Sequence, residues 1–208
     1  MSNEQHESPD SGQKLLEAHT LNEVRYYLMV SPCPLCGKGP QEITHPQSAQ
    51  AGQTTTIQIT CRNCEQNGTL DAICQSEVEA GEGYDSDVIN PSDHPSRIID
   101  LGQWLSLFYL LVESAATDSS RTSARRGGYQ AMLCLSEALK FYGDNELPPV
   151  EAFFTETTRD IFRRHSEKFT RQRLRDMQSK LPTPSSMAAR VVSDQQRTSR
   201  RWWQFWSR

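Results

Sequence analysis

In the second half of the chain, apolar residues recur at intervals of three and four. This spacing places them on one face of an α-helix. The longest series predicts a helix from about residue 98: Ile98, Leu101, Leu105, Phe108, Val112 and Ala115. Four more apolar residues widen this apolar face until it surrounds almost the whole helix: Trp104, Leu107, Leu110 and Leu111. A helix that is apolar all round is expected at the centre of a bundle.

Three shorter series predict helices over about 120–142, 149–162 and 170–181. Gly143 is a natural C-terminal stop for the first of them. Thr170 is a candidate cap for the last, since a threonine hydroxyl accepts a hydrogen bond from a free N–H group of the first turn. We therefore expect an all-α domain in this half of the chain.

The first half of the chain shows a strand pattern between polar loops. Residues 20–23, Thr-Leu-Asn-Glu, fit a capping box at the start of a short helix. Residues 54–60 alternate and are β-branched, which is typical of a strand. Residues 69–78 predict a return strand after a turn. The pattern indicates a small antiparallel sheet whose turns contain pairs of cysteines.

Composition divides the chain into five segments and predicts the α+β class. Residues 1–12 and 183–208 are polar and are expected to be disordered and flexible, respectively. The short helix and sheet occupy 13–78, and the helical domain occupies 96–182. Between them, 79–95 is acidic and rich in turn formers, which indicates a linker.

The longest apolar run, residues 98–112, is too short and too polar for a membrane span, which needs about 20 apolar residues. The acidic N-terminus does not resemble a secretory signal. We therefore expect a cytoplasmic protein. In a reducing compartment, paired cysteines more often hold a metal ion than form disulfides.

Two Cys-x2-Cys pairs, Cys33/Cys36 and Cys61/Cys64, are separated by 24 residues. A tight turn brings two thiolates to one ion, and two such turns complete a tetrahedral site. This geometry predicts one structural Zn²⁺. Iron, a disulfide or free thiols are the alternatives, as is a site in which His45 replaces one cysteine.

These pairs, CPLCG and CRNC, resemble the knuckles of zinc-ribbon domains over about residues 28–78. The resemblance implies a ribbon with a structural zinc ion and does not imply one activity. Residues 123–154 resemble part of a bacterial family that is otherwise uncharacterised, and this likeness implies no function. The loop between the cysteine pairs lacks the basic and aromatic residues that nucleic-acid-binding ribbons often have.

No sequence pattern of a catalytic centre occurs in the chain. There is no phosphate-binding loop, no G-x-S-x-G and no H-E-x-x-H, and no histidine lies in a recognisable catalytic motif. Cys74 and Cys134 fall outside the ligand spacing and are expected to be small buried residues. We therefore expect a protein without enzymatic activity.

Residues 159–180 form a basic segment with eight lysines and arginines and a net charge of +5. Such clusters contact phosphates in nucleic acids. A solvated helix face with local ion pairs and contact with an acidic protein partner are the alternatives. The candidate nucleic-acid-binding residues are Arg163, Arg164, Lys168, Arg171, Arg173 and Arg175.

The last nine residues, RRWWQFWSR, hold three of the four tryptophans. Arginine and tryptophan are enriched where one protein docks into another, and the same mixture suits a membrane surface. Docking of the tail on its own helical domain and stacking on nucleic acid are further alternatives. The candidate partner-binding residues are Trp202, Trp203, Phe205 and Trp206.

Together these features predict a non-catalytic adaptor or interaction module with one structural zinc ion and a protein partner. The first alternative is a nucleic-acid-binding regulator that uses the basic segment. A weaker alternative is an accessory subunit of an enzyme. The first 97 residues carry a formal charge of −9 and the rest +5, so the cysteines lie in the acidic half.

Overall fold

The computed structural model describes residues 15–45, 49–76 and 88–181. The predicted disordered N-terminus, 1–12, and the predicted flexible tail, 183–208, lie outside them. The chain belongs to the α+β class, as predicted. Its strands and helices follow in this order: β1 (Leu16–Ala18), α1 (Leu21–Val30), β2 (Gln41–Ile43), β3 (Thr54–Cys61), β4 (Asn67–Cys74), α2 (Leu101–Thr117), α3 (Arg121–Leu139), α4 (Glu156–Arg164) and α5 (Arg171–Gln178).

The four strands form one sheet in the order β1-β4-β3-β2. β3 pairs antiparallel with β2 and β4, but β1 runs parallel to β4. The prediction of a purely antiparallel sheet was therefore wrong, because β1 was not foreseen. A strand of three residues is too short to show alternation, and its pairing with residues 72–74 is decided by tertiary contact.

Helix α1 begins where predicted, with the Thr20 hydroxyl accepting a hydrogen bond from the Glu23 N–H. The Glu23 carboxylate does not return to Thr20, as a capping box requires, and instead accepts from the His19 N–H. Val24 and Leu28 pack on the sheet, while Tyr26 belongs to the apolar cluster of the helical half. α1 thus contacts both halves of the molecule.

Helices α2 and α3 pack closely against each other. Gly127 lies at their contact, where an added Cβ would be 3.1 Å from the Cβ of Ala115. Close packing therefore explains this glycine in the helix interior. α2 is not buried all round as expected, because Tyr109 and Leu110 are 53% and 51% exposed.

The predicted helix over 149–162 is interrupted. A single 3₁₀ turn spans Val150–Ala152, and Phe153 follows in extended geometry. The Phe154 N–H then donates a hydrogen bond to the Asp100 carboxylate, and α4 begins only at Glu156. The Thr155 hydroxyl caps α4 by accepting from the Thr158 N–H. The apolar pattern ran through the break because residues on both sides of it pack into one core.

The last helix, α5, is capped by Thr170 as predicted. Phe169 before the cap and Leu174 within the helix are both buried, in the arrangement of a hydrophobic staple. The ring of Phe169 meets the rings of Phe153 and Phe162 edge-on at 5.4 and 5.5 Å. These contacts join α4 to the segment that leads into α5.

Residues 88–95, which fall in the predicted acidic linker, make specific contacts. Ile89 is buried in the larger apolar cluster, and its carbonyl accepts a hydrogen bond from the Thr20 hydroxyl. The Lys140 ammonium donates to the carbonyl of Asn90 at 2.9 Å. This part of the segment therefore packs on both α1 and the end of α3. Within the described part of the chain, no helix has the length and apolar character needed to cross a membrane.

Candidate metal centre

The two cysteine pairs lie on turns of similar backbone geometry. In each turn, the residue that follows the second cysteine is left-handed: Gly37 with φ +68° and Glu65 with φ +57°. Its N–H donates to the carbonyl of the first cysteine, at 2.8 Å in both turns. A positive φ suits the glycine of the first turn, since glycine has no Cβ to clash there.

The pairing of β2 with β3 brings the two turns together. Gln41 faces Cys61 in the register of these strands. The Arg62 N–H donates to the Pro40 carbonyl at 3.0 Å, and the Arg62 side chain bonds Glu42. The second turn is therefore held beside the segment that leads out of the first.

The four predicted ligand sulfurs converge on one point. Each lies within 4.8 Å of the others. The Sγ atoms of Cys33 and Cys64 are 3.9 Å apart, and those of Cys36 and Cys61 are 3.7 Å apart. A tetrahedron with metal–sulfur bonds of about 2.3 Å has edges of about 3.8 Å, so the thiols fit a single metal ion. All are free thiols, with separations far beyond a disulfide bond.

The surroundings of Cys36 and Cys64 shift the pKa values of these two thiols in opposite directions. A hydrogen bond with the Lys38 backbone, assisted by the neighbouring thiols and by Asn63, lowers the pKa of Cys36 to about 7. The Gln66 backbone favours the Cys64 thiolate, but desolvation and the three other thiols outweigh it and raise the pKa of Cys64 to about 12. Binding of a metal ion therefore displaces protons from this set.

Asn63 is a contact that the sequence reasoning missed. Its side-chain amide donates to the Cys36 sulfur at 3.5 Å. Outer contacts of this kind orient a metal ligand. The signal in the sequence was an amide residue inside the second Cys-x2-Cys turn, where a side chain has only a short distance to reach the opposite turn.

The remaining two cysteines lie apart from this cluster. Cys74 on β4 and Cys134 on α3 are fully buried, as expected. Desolvation raises the pKa of Cys74 to about 11, with a smaller contribution from Glu23. Desolvation, with Glu137 nearby, also raises the pKa of Cys134. Both therefore stay protonated and act as small apolar side chains.

The basic segment is partly neutralised by Asp160 within it and by Glu156 just before it. Arg163 bonds Glu156 at 2.8 Å and Asp160 at 2.9 Å, and Arg164 lies 3.9 Å from Asp160. Arg171 is half-buried, and its backbone N–H donates to the backbone carbonyl of Glu146. The other three candidate residues are exposed: Lys168, Arg173 and Arg175.

The tail candidates Trp202, Trp203, Phe205 and Trp206 lie outside the described residues. Comparison of the chain with protein-family models, with curated proteins and with solved structures finds no match. The geometry of the described residues is therefore the basis for assigning a function.

Proposed function

We propose that this chain is a non-catalytic interaction protein whose four clustered cysteines bind one structural Zn²⁺. The observation that carries this proposal is the convergence of the four sulfurs within 4.8 Å of one another. Four thiolates would complete a tetrahedral coordination sphere, which leaves no position for the water that catalytic zinc keeps. When bound, the ion would supply a cross-link between the two turns.

The chemistry of the donors supports zinc over other ions. Thiolate sulfur is a soft ligand that selects zinc or iron rather than calcium or magnesium. Zn²⁺ has no geometric preference of its own and accepts the tetrahedron that these turns offer. Iron in the same site is the alternative that metal analysis distinguishes.

Exposed apolar side chains support an interaction role. Leu35, between the first two cysteines, is 70% exposed at the tip of its turn. Tyr109 and Leu110 are adjacent exposed residues on α2. Contiguous exposed apolar patches are typical of contact surfaces, and Tyr109 and Leu110 are such neighbours. The tryptophans of the C-terminal tail add a further candidate contact on composition alone.

Metal analysis of the purified full chain tests the zinc site. We expect one zinc ion per chain, and we expect Cys61→Ser to lower the metal content well below that value. Cys134→Ala is the matched control, since Cys134 is buried in the helical half, and it should keep its metal. A folded chain without metal, or equal metal content in both variants, would refute the site.

A pull-down compares the intact chain with a chain that lacks residues 200–208 and with Leu35→Asp. If the tail and the exposed knuckle contact a partner, each change reduces recovery of a protein that the intact chain retains. Unchanged recovery with both variants excludes these two surfaces as the contact.

A further inference from the structure

A cavity of about 520 Å³ lies between the metal-bearing sheet and the helices. Residues of α1 and β2 form one side of it, together with Arg62, which directly follows Cys61. Leu111 of α2 and Arg126 and Gln130 of α3 form the other side. Its volume falls within the range of about 300–1,000 Å³ that is typical of small-molecule sites.

The interior of this cavity offers apolar contact. Tyr26 is 9% exposed, and its ring lies 5.8 Å from that of the buried Trp104, which holds it in place. Met29, Ile43 and Leu111 are half-buried residues that also line the space. An aromatic or aliphatic body placed there would lose its contact with water, which favours binding.

The charged residues of the lining are predominantly arginines. Arg62 is neutralised, because its Nε donates to the Glu42 carboxylate at 2.6 Å. Arg25 donates to the side-chain oxygen of Asn22 at 3.0 Å, which is a neutral partner. For Arg126, the described residues provide no ion-pair partner. Two guanidinium groups therefore leave the lining with an excess of positive charge.

We propose that this cavity binds a small amphipathic organic anion, with an aromatic or aliphatic body and one carboxylate or sulfonate group. The body packs against Tyr26, Met29 and Leu111, and the anionic group bonds Arg25 and Arg126. Guanidinium groups suit this role because their fixed donors match the geometry of an oxyanion. The site is separate from the metal centre and adds ligand binding to the interaction role.

A pair of fluorescent probes tests the proposal on the metal-loaded full chain. Anilinonaphthalene sulfonate has an aromatic body and one anionic group, and N-phenylnaphthylamine has a nearly identical body without the charge. We expect the sulfonate to saturate at one molecule per chain and to bind at least about tenfold more tightly than the uncharged probe, as a charge-assisted hydrogen bond allows. Equal affinities would overturn the proposal.

Charge-reversal variants locate the site. Arg25→Glu and Arg126→Glu should each weaken binding of the sulfonate by about tenfold or more, since a like charge replaces the guanidinium. Arg173→Glu on α5 is the matched control, because Arg173 is exposed and lies outside the cavity lining. It should change affinity less than about twofold.

Thermal unfolding of each variant shows whether it remains folded. If Arg25→Glu fails to fold, Met29→Trp replaces it as a test, because the larger side chain fills the apolar part of the cavity and should also weaken binding. An equal loss in Arg173→Glu, or no loss in both cavity variants, would show that the probe binds elsewhere and would overturn the assignment.

Discussion

Asp100 joins two helices through one buried carboxylate. Its first oxygen accepts from the Gln103 N–H at 2.7 Å, and the Gln103 side chain bonds back to the Asp100 N–H, which completes a capping box for α2. Its second oxygen accepts from the Phe154 N–H at 2.9 Å and from the Thr158 hydroxyl at 2.6 Å. The start of α2 and the approach to α4 thus depend on the same side chain.

We expect Asp100→Ala to destabilise the protein by about 2–4 kcal/mol, because it removes a helix cap and leaves buried donors without a partner. Urea unfolding measures the change. Thr155→Ala is the control, since Thr155 caps only α4 at an exposed position and should cost about 1 kcal/mol. Equal costs for the two variants would contradict the joint role of Asp100.

Glu137 lies in a buried polar cluster at the contact of α1, α3 and residues 88–96. Burial raises the pKa of Glu137 to about 7, with the buried Glu23 carboxylate adding to the increase and Lys140 opposing it. Lys140 bonds Glu137 at 2.8 Å. Burial likewise raises the pKa of Glu23. One atom of each of three side chains, His19 Nε2, Glu23 Oε1 and Glu137 Oε2, has no hydrogen-bond partner among the described residues.

A raised carboxyl pKa predicts stability that depends on pH. The folded protein holds the Glu137 proton up to about pH 7, whereas the unfolded chain releases it near 4.5. This contribution to stability is therefore complete below the unfolded value and is lost as pH rises through the folded value. Between pH 8 and pH 6, it should add about 1 kcal/mol to the free energy of unfolding.

Denaturant unfolding of the wild type and of Glu137→Gln at both pH values measures the effect of the Glu137 carboxyl together with its coupling to Glu23, since the more distant titrating groups are common to both proteins. We expect the variant to lose stability relative to the wild type as pH falls from 8 to 6. Glu113→Gln, at an exposed position of α2, is the control and should run parallel to the wild type. A parallel profile for Glu137→Gln would rule out Glu137 as the source.

At the scale of elements, the contact between α2 and α4 requires a glycine. A Cβ added at Gly102 would lie 2.8 Å from Cγ2 and 2.9 Å from Cβ of Thr158. Such distances force one helix to move. Helix propensity alone would favour alanine over glycine by about 1 kcal/mol. Here the packing term opposes the propensity term.

We expect Gly102→Ala to destabilise the protein by about 1–3 kcal/mol, since overpacking outweighs the gain in propensity. Thr158→Ser removes the Cγ2 methyl and keeps the hydroxyl that bonds Asp100. In that background, Gly102→Ala should therefore cost less. A double-mutant cycle measured by thermal unfolding tests this coupling, and additive effects would show that the contact is not limiting.

At the scale of the whole molecule, the metal centre lies outside the apolar cores. None of the described clusters of buried apolar residues includes Cys33, Cys36, Cys61 or Cys64. The sheet has its own small cluster against α1, and the helices have a larger one. The proposed ion therefore stabilises the two cysteine turns and β2, whereas burial of apolar side chains stabilises the remaining sheet and the helices.

Chelation should consequently loosen one region only. We expect hydrogen exchange to speed up over residues 31–45 and 60–66 after metal removal, and to remain slow over α2 and α3. Mass-spectrometric exchange with and without a chelator measures both regions in one sample. Loss of protection in α2 and α3 as well would show that the helical half depends on the ion.

The charge distribution bears on the nucleic-acid alternative. Arg163 and Arg164 lie in ion pairs with Glu156 and Asp160, so two of the six candidate residues are already neutralised. For an interaction protein, we expect no gel retardation of DNA or RNA at physiological salt. Retardation that falls steeply with salt and is lost in the triple reversal of Arg171, Arg173 and Arg175 would favour the regulator instead.

Features that depend on neighbouring residues in the chain could be predicted from the sequence, whereas features that depend on distant residues could not. α3 and α5 were predicted to within a few residues, since apolar period and cap are local. α2 was predicted as a helix, but its capping residue Asp100 was missed although Gln103 follows it at the spacing of a capping box. The break before α4 was not foreseen, because it depends on a carboxylate more than fifty residues away.

The sequence alone determined the class of fold, the principal helices and the cysteines that meet, because these follow from spacing along a turn or helix and from the chemistry of sulfur. Only the tertiary structure decided the parallel strand β1, the buried Glu23 and Glu137, and the cavity between Arg25 and Arg126. Each of these joins residues far apart in the chain. Sequence periodicity reports which face of an element is apolar, but it does not report which other element covers that face.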